Sequence, residues 1–526
     1  MAHYTILIKN GTVLDGKGSA LQKLDIGIKD EKIKKIGNLH GDTADRVIDA
    51  KGKYVCPGFI DLGNHSDTHW TLFLYPEQES MLRQGVTTIL GGICGSSLAP
   101  LVKAKDIEGI QKWVNVSDIN INWRTMEEFF KELENHKFGV NVCTLVGHNT
   151  LRRGIINDEV RALKPNEARQ IQNLLEESIN EGAFGLSTSL GSAHSRSASD
   201  DEIVGLLKIV AKKNAISCHH LEDEGKNLLP ALSRLISLAR LSGSRIHISH
   251  FKAIGKTAWE SWQDALNMFE RARKENIQAT CDVFPYTRTG SNLYMLLPEW
   301  VLEGGKERIL QTIAEKRQEV IKGLQELTLH YDRITVASTL HDTASVGKTI
   351  LQLSNDAGVS CEEIILNLLE VNKLRVAIFN EVISEQNIER LIKQDYAMIG
   401  SDGVGVNLKA QKSAKKDLPH PRSFGAFPRV LAYFVREKNI LSWEEAIYKM
   451  SGFPAQVLGI KDRGVIEPGA YADMVIFDPN TITDLSTYDN PFQFPQGIEY
   501  VLVNGGIAVD KNGLTGQRLG KVIRRK

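Results

Sequence analysis

The feature that most constrains this chain is a coincidence repeated along its middle. Short apolar runs of strand length each finish in a residue that can bind a metal or move a proton. Runs starting near Thr87, Val140, Ala215, Ile246, Ala279 and Ala397 lead into Cys94, His148, His219-His220, His250, Asp282 and Asp402. Another run starts at Phe184, and stretches with helical apolar spacing intervene at 166–181, 201–214 and 257–275. About eight such alternations predict an α/β fold, a parallel (β/α)8 TIM-like barrel. A doubly wound sheet is the alternative, but no glycine-rich phosphate turn follows an early strand. In a parallel barrel the C-terminal strand ends meet at one mouth, where chemistry is built. One histidine ending a buried strand is most often structural; a whole register of such endings points to a metal site. Thiolate, imidazole and carboxylate together suit a borderline-soft dication, zinc first.

A chain of 526 residues is too long for one ordinary core. Its two ends read differently from the middle. Near the start, Tyr4 to Lys9 is strand-like, Asn10-Gly11 is a turn signal, and Leu24 to Ile28 alternates. Ala472 to Asp478 and Tyr500 to Gly505 return to the same style. The expected organisation is a small β-sandwich domain built from 1–56 and 462–526 around a barrel at 57–461. Residues 288–341, long, helical and charged after a strand end, are expected to form a lid-like insertion.

Charge narrows the partners. Sixty-four basic residues match 64 acidic ones, so no bulk field favours nucleic acid or an anionic membrane. No stretch approaches the roughly 18 apolar residues that span a bilayer, and no signal-peptide pattern follows Met1. A cytoplasmic protein with a small-molecule partner is expected, its oligomeric state open. The six cysteines show no CxxC spacing and read as small buried hydrophobes, Cys94 excepted.

Several blocks carry a resemblance. Gly91-Gly-Ile-Cys-Gly-Ser-Ser-Leu-Ala-Pro100 is the most specific. Leu145 to Arg152, Cys218 to Gly225, Ile248 to Gly255, Asp282 to Tyr286, Gly400 to Gly403 and His420 to Gly425 follow in order. Together they resemble the D-aminoacylase (N-acyl-D-amino-acid deacylase) branch of the amidohydrolase superfamily over nearly the whole chain. The resemblance implies that Cys94, His220 and His250 hold a zinc ion and that Asp402 contacts metal and water and acts as base. His219 is the rival for His220; Glu222-Asp-Glu in family register favours His220 and suggests outer partners that orient it. Lys252, Tyr286 and Arg422 match positions that grip the substrate carboxylate, and Arg288 is a candidate reader of an acidic substrate side chain. His148 and Arg152 receive no chemical step.

One departure matters. The family carries His-x-His after its Gly-Phe-Ile-Asp block, whereas this chain reads Asp61-Leu-Gly-Asn-His-Ser-Asp67. Gly63 replaces the first histidine and His65 alone remains, as a weak metal ligand or a support for Asp402. Asp67 and His69 share its face on a continuing strand and are the candidates to compensate. The expectation is one tightly bound zinc and activity hydrolysing N-acyl-D-amino acids or related N-acyl amino acids and dipeptides. The alternatives are a hydantoinase- or dihydroorotase-like cyclic amidase, against which Cys94 speaks, and a non-catalytic scaffold.

Overall fold

In the computed structural model, which describes residues 2–110, 120–408 and 417–526, the apolar runs become parallel strands. Phe59–Asp61, Val86–Gly91 and Asn141–Thr144 pair in that order. Val146–Gly147, Gly185–Ser189, Ile216–His220, Ile246–Ile248, Ala279–Val283 and Ala397–Ile399 form a second parallel series. Asn141–Thr144 and Val146–Gly147 are one run interrupted at Leu145, so the two series supply eight successive positions of a (β/α)8 barrel.

The first and last positions are joined by side-chain and loop contacts rather than a ladder. Asp61 accepts hydrogen bonds from the Ser401 backbone N–H at 2.8 Å and the Ser401 hydroxyl at 2.5 Å. Beyond the strands, His65 N–H donates to Gly403 O at 2.9 Å.

The barrel interior is filled by Ile60, Leu62, Leu90, Cys143, Leu145, Ile216, Cys218 and Met398, one buried cluster beneath the mouth. Alternate strand residues pack outward against helices. Asp200–Lys212 is typical: Ser199 caps its start by accepting from Glu202 N–H, and Ile203, Leu206, Leu207 and Val210 form its buried stripe. Each such side chain contributes about 1.5–3 kcal/mol on burial. The stretch expected as one helix at 257–275 is two, Lys256–Glu260 and Trp262–Lys274, parted at Ser261.

The chain ends share one nine-stranded sheet. Its join is Tyr54–Pro57 running antiparallel to Met474–Phe477. Ile6, Ile8, Ile26, Ile28 and Ile33 from the first end bury a common cluster with Met474, Ile476 and Leu502 from the second. A polar network ties this sheet to the barrel: Asp473 accepts from Asn141 Nδ2 at 3.1 Å and pairs with Arg463, all buried.

The insertion is larger than the sequence suggests. Arg288–Asn292, Val376–Glu381 and Ile334–Thr339 make an antiparallel sheet, so the unit runs on past 341 to Glu381. Helices Gly305–Glu315, Arg317–Gln325, Ile350–Ala357 and Cys361–Val371 cover it, over a core of its own that includes Leu293, Ile313, Val336, Leu369 and Ile378. Its third strand follows two helices, and that alternation reads like another barrel unit until the pairing direction is known. Among the described residues no helix is long and apolar enough to cross a membrane.

Candidate metal centre

Three residues at the mouth sit in backbone conformations that side chains disfavour. Cys94, His250 and Asp402, each just beyond a barrel strand, have φ of 51°, 41° and 51°. Such left-handed residues cost on the order of 1–3 kcal/mol each and persist where neighbours hold them. Here the neighbours are identifiable. Ser187 accepts from Gly95 N–H at 3.0 Å and donates to Gly92 O, bracketing Cys94. Asp282 accepts from His250 N–H at 2.8 Å while its other oxygen binds the His247 ring at 2.7 Å. Gly92 is required in its turn, because a Cβ there would lie 2.3 Å from Leu145 O.

Among the described residues, one group of histidines, cysteines and carboxylates is close enough to hold an ion: Cys94, His220 and His250, with ligand atoms all within 4.8 Å of one another. Cys94 Sγ lies 3.3 Å from His250 Nε2, and the two imidazole rings are 4.5 Å apart and nearly perpendicular. Sulfur and nitrogen ligands on a tetrahedral ion stand roughly 3.5 Å apart, so spacing and donor chemistry both fit zinc. Burial alone would push the Cys94 thiol up, but the His250 charge and hydrogen bonds from His220, His250 and His65 hold it well below its usual range. That setting favours the thiolate, the form in which a cysteine ligates a metal.

Strand alternation separates His220 from His219. His219 is fully buried and bonded to Thr188 Oγ1 at 2.8 Å, its pKa pulled down to about 3 by burial with His247 and His148 nearby.

Behind the histidines stands Glu224, 3.2 Å from His250 Nδ1 and 3.8 Å from His220 Nε2. Lys252 does not stand free at the mouth: its ammonium is buried, 2.7 Å from Glu224 and 2.8 Å from His250 Nδ1. Of the acidic trio expected to orient His220, only Glu224 is so placed. Glu222 pairs with Arg234 at 2.6 Å, and Asp223 closes a local turn through Gly225 N–H and Asn227.

Beside the cluster, Asp402 is gripped by Arg422 Nη1 at 2.6 Å and His65 Nε2 at 3.2 Å. Burial would raise its pKa, yet Arg422, His250 and His65 hold it well below the usual carboxylate range. The same surroundings raise the His65 pKa to about 9, against burial, through Asp402 and Cys94. Arg422 Nε is buried with no hydrogen-bond partner, a donor left over at the mouth.

Gly63 lies next to Asp402: a Cβ there would meet Asp402 N at 3.4 Å and Asp282 Oδ1 at 3.7 Å, ordinary contacts. The Asp67 carboxylate is taken up by Gly92 N–H at 2.6 Å and Thr68 N–H at 2.7 Å. The His69 ring is 6.0 Å from that of His65. Neither belongs to the ligand group.

The remaining expected residues sit farther out. Tyr286 packs edge-on to His420 at 5.4 Å and under Arg429 at 5.1 Å, and burial and the Asp484 carboxylate push its phenol well up. Arg288 pairs with Glu381 at 3.0 Å and lies 4.5 Å over the Tyr488 ring. His148 and Arg152 share a buried network with Glu202, at 2.8 and 2.6 Å, in the helical layer. Sequence reasoning gave Ser187 and Glu381 no role at this mouth, and placed Asp282 there without a specific one. Asp282 alone carried a signal, as the polar end of an apolar run.

The chain is similar to known proteins along its whole length. A family profile described as the amidohydrolase family matches residues 46–267 and 418–509. An N-acyl-D-glutamate deacylase of Alcaligenes xylosoxydans xylosoxydans is 30% identical over 521 residues, 99% of this chain and 96% of that protein. The crystal structure of N-acyl-D-glutamate deacylase from Bordetella bronchiseptica, with zinc and a phosphonate mimic of the tetrahedral intermediate, superposes at a TM-score of 0.84. It is 27% identical and covers 99% of this chain and all of that one. A D-aminoacylase structure concerned with its binuclear metal centre, one-metal activation and second-metal attenuation, superposes at 0.83. It is 28% identical, with 99% of this chain and 100% of that one covered. With a thiolate and two histidines converging at the mouth of an eight-position barrel, and full-length similarity to these enzymes, the chain belongs to the amidohydrolase family, in its N-acyl-D-amino-acid deacylase branch.

Proposed function

We propose that this protein hydrolyses the amide bond of N-acyl-D-amino acids, or related N-acyl amino acids and dipeptides, releasing a carboxylate and the free amino acid. The observation that carries the reading is the convergence of Cys94, His220 and His250 beside the Asp402 carboxylate. Those three residues would hold one zinc ion. When bound, zinc supplies Lewis-acid polarisation of an amide carbonyl and a lowered pKa for water.

The chain's own residues do the rest. Asp402, ionised at neutral pH, takes the proton of the attacking water and passes it to the departing nitrogen. An amine is a poor leaving group at that pH, so the returned proton is required for the bond to break. His65 holds Asp402 in place through its Nε2, 3.2 Å from the carboxylate. Glu224, braced by Lys252, orients the ring of His250 and steadies His220. Arg422, with Nε unpartnered, receives the α-carboxylate of the substrate. That carboxylate competes with Asp402 for the guanidinium, which makes Asp402 more basic once substrate is bound. Lys252 adds positive potential from behind Glu224, and Tyr286 walls the mouth. Arg288 faces the substrate side chain, where an acidic group competes with Glu381 for it.

Gly63 removes one ligand of a second metal position, and the Asp67 carboxylate is already engaged by two backbone N–H groups. One ion per chain follows. A cytoplasmic setting fits, because all six cysteines are unpaired and a reducing compartment preserves the Cys94 thiolate.

The test is metal content per chain on protein purified without added metal, together with hydrolysis of N-acetyl-D- and N-acetyl-L-amino acids. One zinc per chain with D-selective release of acetate supports the reading. No metal and no turnover after zinc is supplied overturns it.

A further inference from the structure

The guanidinium that grips Asp402 is itself held from an unexpected direction. Arg422 is the first residue of the helix Arg422–Arg429, whose cap, Pro421, offers no side-chain acceptor. The Arg422 N–H would be one of the orphan donors of a helix start. His420 satisfies it: Arg422 N–H donates to His420 Nδ1 at 3.1 Å. The other ring nitrogen, Nε2, donates to the backbone carbonyl of Arg288 at 3.0 Å. One neutral imidazole in one tautomer therefore links Arg288, where the insertion's sheet begins, to Arg422.

The ring has little freedom to do anything else. It is 7% exposed. Tyr286 of the barrel, Phe379 of the insertion and Tyr488 of the C-terminal segment meet it nearly edge-on, at 5.4, 5.3 and 5.1 Å. On the insertion strand itself, Gly290 keeps the backbone close: a Cβ there would lie 3.3 Å from Arg422 Nη2 and 3.4 Å from His420 Cδ2. Insertion, barrel and C-terminal segment thus meet on this one side chain.

We propose that His420 is a positioning residue that transmits the seating of the 288–381 insertion to the Arg422–Asp402 ion pair. The inference rests on the reading of Asp402 as the base. When the insertion sits as it does here, the Arg288 carbonyl fixes the imidazole, the imidazole fixes the start of the helix, and Arg422 is aimed at Asp402. If the Arg288 carbonyl moves away, the ring loses one of its two anchors and Arg422 its aim. The insertion then acts on the Arg422–Asp402 pair through a backbone carbonyl rather than through a side chain.

The experiment compares three variants of the full chain. H420F keeps the ring volume and loses both hydrogen bonds; H420Q keeps a donor near the Nε2 position; D402N removes the base. Three quantities are read: kcat and KM for N-acetyl-D-amino acids, zinc per chain, and amide hydrogen exchange over Arg288–Asn292. In H420F, zinc content should stay unchanged, kcat should fall about 10- to 100-fold, and exchange in Arg288–Asn292 should accelerate. H420Q should recover part of both the rate and the protection. Unchanged kcat in H420F, or exchange that stays slow over Arg288–Asn292, overturns the coupling. So does a loss of rate that H420Q leaves unrelieved and that tracks loss of zinc. Full activity in D402N overturns the base reading instead, and the exchange of H420F then still decides whether the insertion is anchored through this ring.

Discussion

Arg422 Nη1 lies 2.6 Å from Asp402 Oδ2, and both side chains are about nine-tenths buried. A buried ion pair of this kind is costly to break by removing one partner, since the other charge is left uncompensated. R422A should therefore do more than weaken substrate binding. The expected outcome is a rise in KM together with a fall in kcat, with kcat/KM down at least about 100-fold. R422K should recover part of kcat and little of KM, because a lysine supplies charge without the bidentate fork. Steady-state kinetics on one N-acetyl-D-amino acid checks both. A pure KM effect in R422A would show that Arg422 serves the substrate alone.

Glu224 reaches both histidines of the ligand group and carries the buried Lys252 ammonium. Replacing it by glutamine keeps the shape and removes the charge. Outer partners of this type typically contribute about 10- to 100-fold in metal affinity. E224Q should lose zinc to a competing chelator at correspondingly lower chelator concentration, with the fold intact by circular dichroism. Affinity equal to that of the parent protein would count against the role.

A Cβ at Gly63 would make only ordinary contacts with Asp402 and Asp282. If its missing imidazole is what limits the site to one ion, G63H should raise metal content from about one towards two per chain when zinc is supplied. Metal analysis after gel filtration reads this directly. Stoichiometry that stays at one would place the limitation elsewhere, for example in the Asp67 carboxylate held by Gly92 and Thr68.

Lys449 gives a stability prediction outside the site. Its ammonium is buried and donates to Ala397 O at 3.0 Å and to Gln394 O, near the start of the last barrel strand. Burial lowers its pKa from 10.5 to about 8, partly opposed by Cys281, Asp395 and Glu445. The folded state thus releases this proton more readily than the unfolded chain. Below about pH 8 both states carry it and the penalty is full; above 10.5 neither does and the penalty is gone. Stability from this group therefore rises with pH across that window, by up to about 3 kcal/mol. Denaturant unfolding of the parent protein and K449M at pH 7.5 and 9.5 should show their difference moving in favour of the parent as pH rises. A difference independent of pH would mean that Lys449 titrates normally.

Much of the site was readable in one dimension because strand ends are local. Cys94, His220, His250 and Asp402 each terminate an apolar run, and a parallel barrel brings run ends together whatever the helices between them do. Strands near the two chain termini were likewise written in their alternating patterns. The direction in which a side chain is finally drawn was not, because that depends on charges distant in sequence. Lys252 reads as a free cation awaiting a carboxylate, yet Glu224, 28 positions away, already holds it. Arg288 reads as a specificity residue, yet its charge is met by Glu381 from a strand 93 positions on.

The sequence by itself determined the barrel and its metal-competent mouth, since apolar periodicity and residue type suffice for those. Only the tertiary structure decided that Asp61 and Ser401 tie the first barrel position to the last and that the insertion extends to Glu381. It alone placed His420 between that insertion and Arg422. Each of these is a contact between segments far apart in the chain, where hydrogen-bond geometry and burial, rather than local pattern, select the partner.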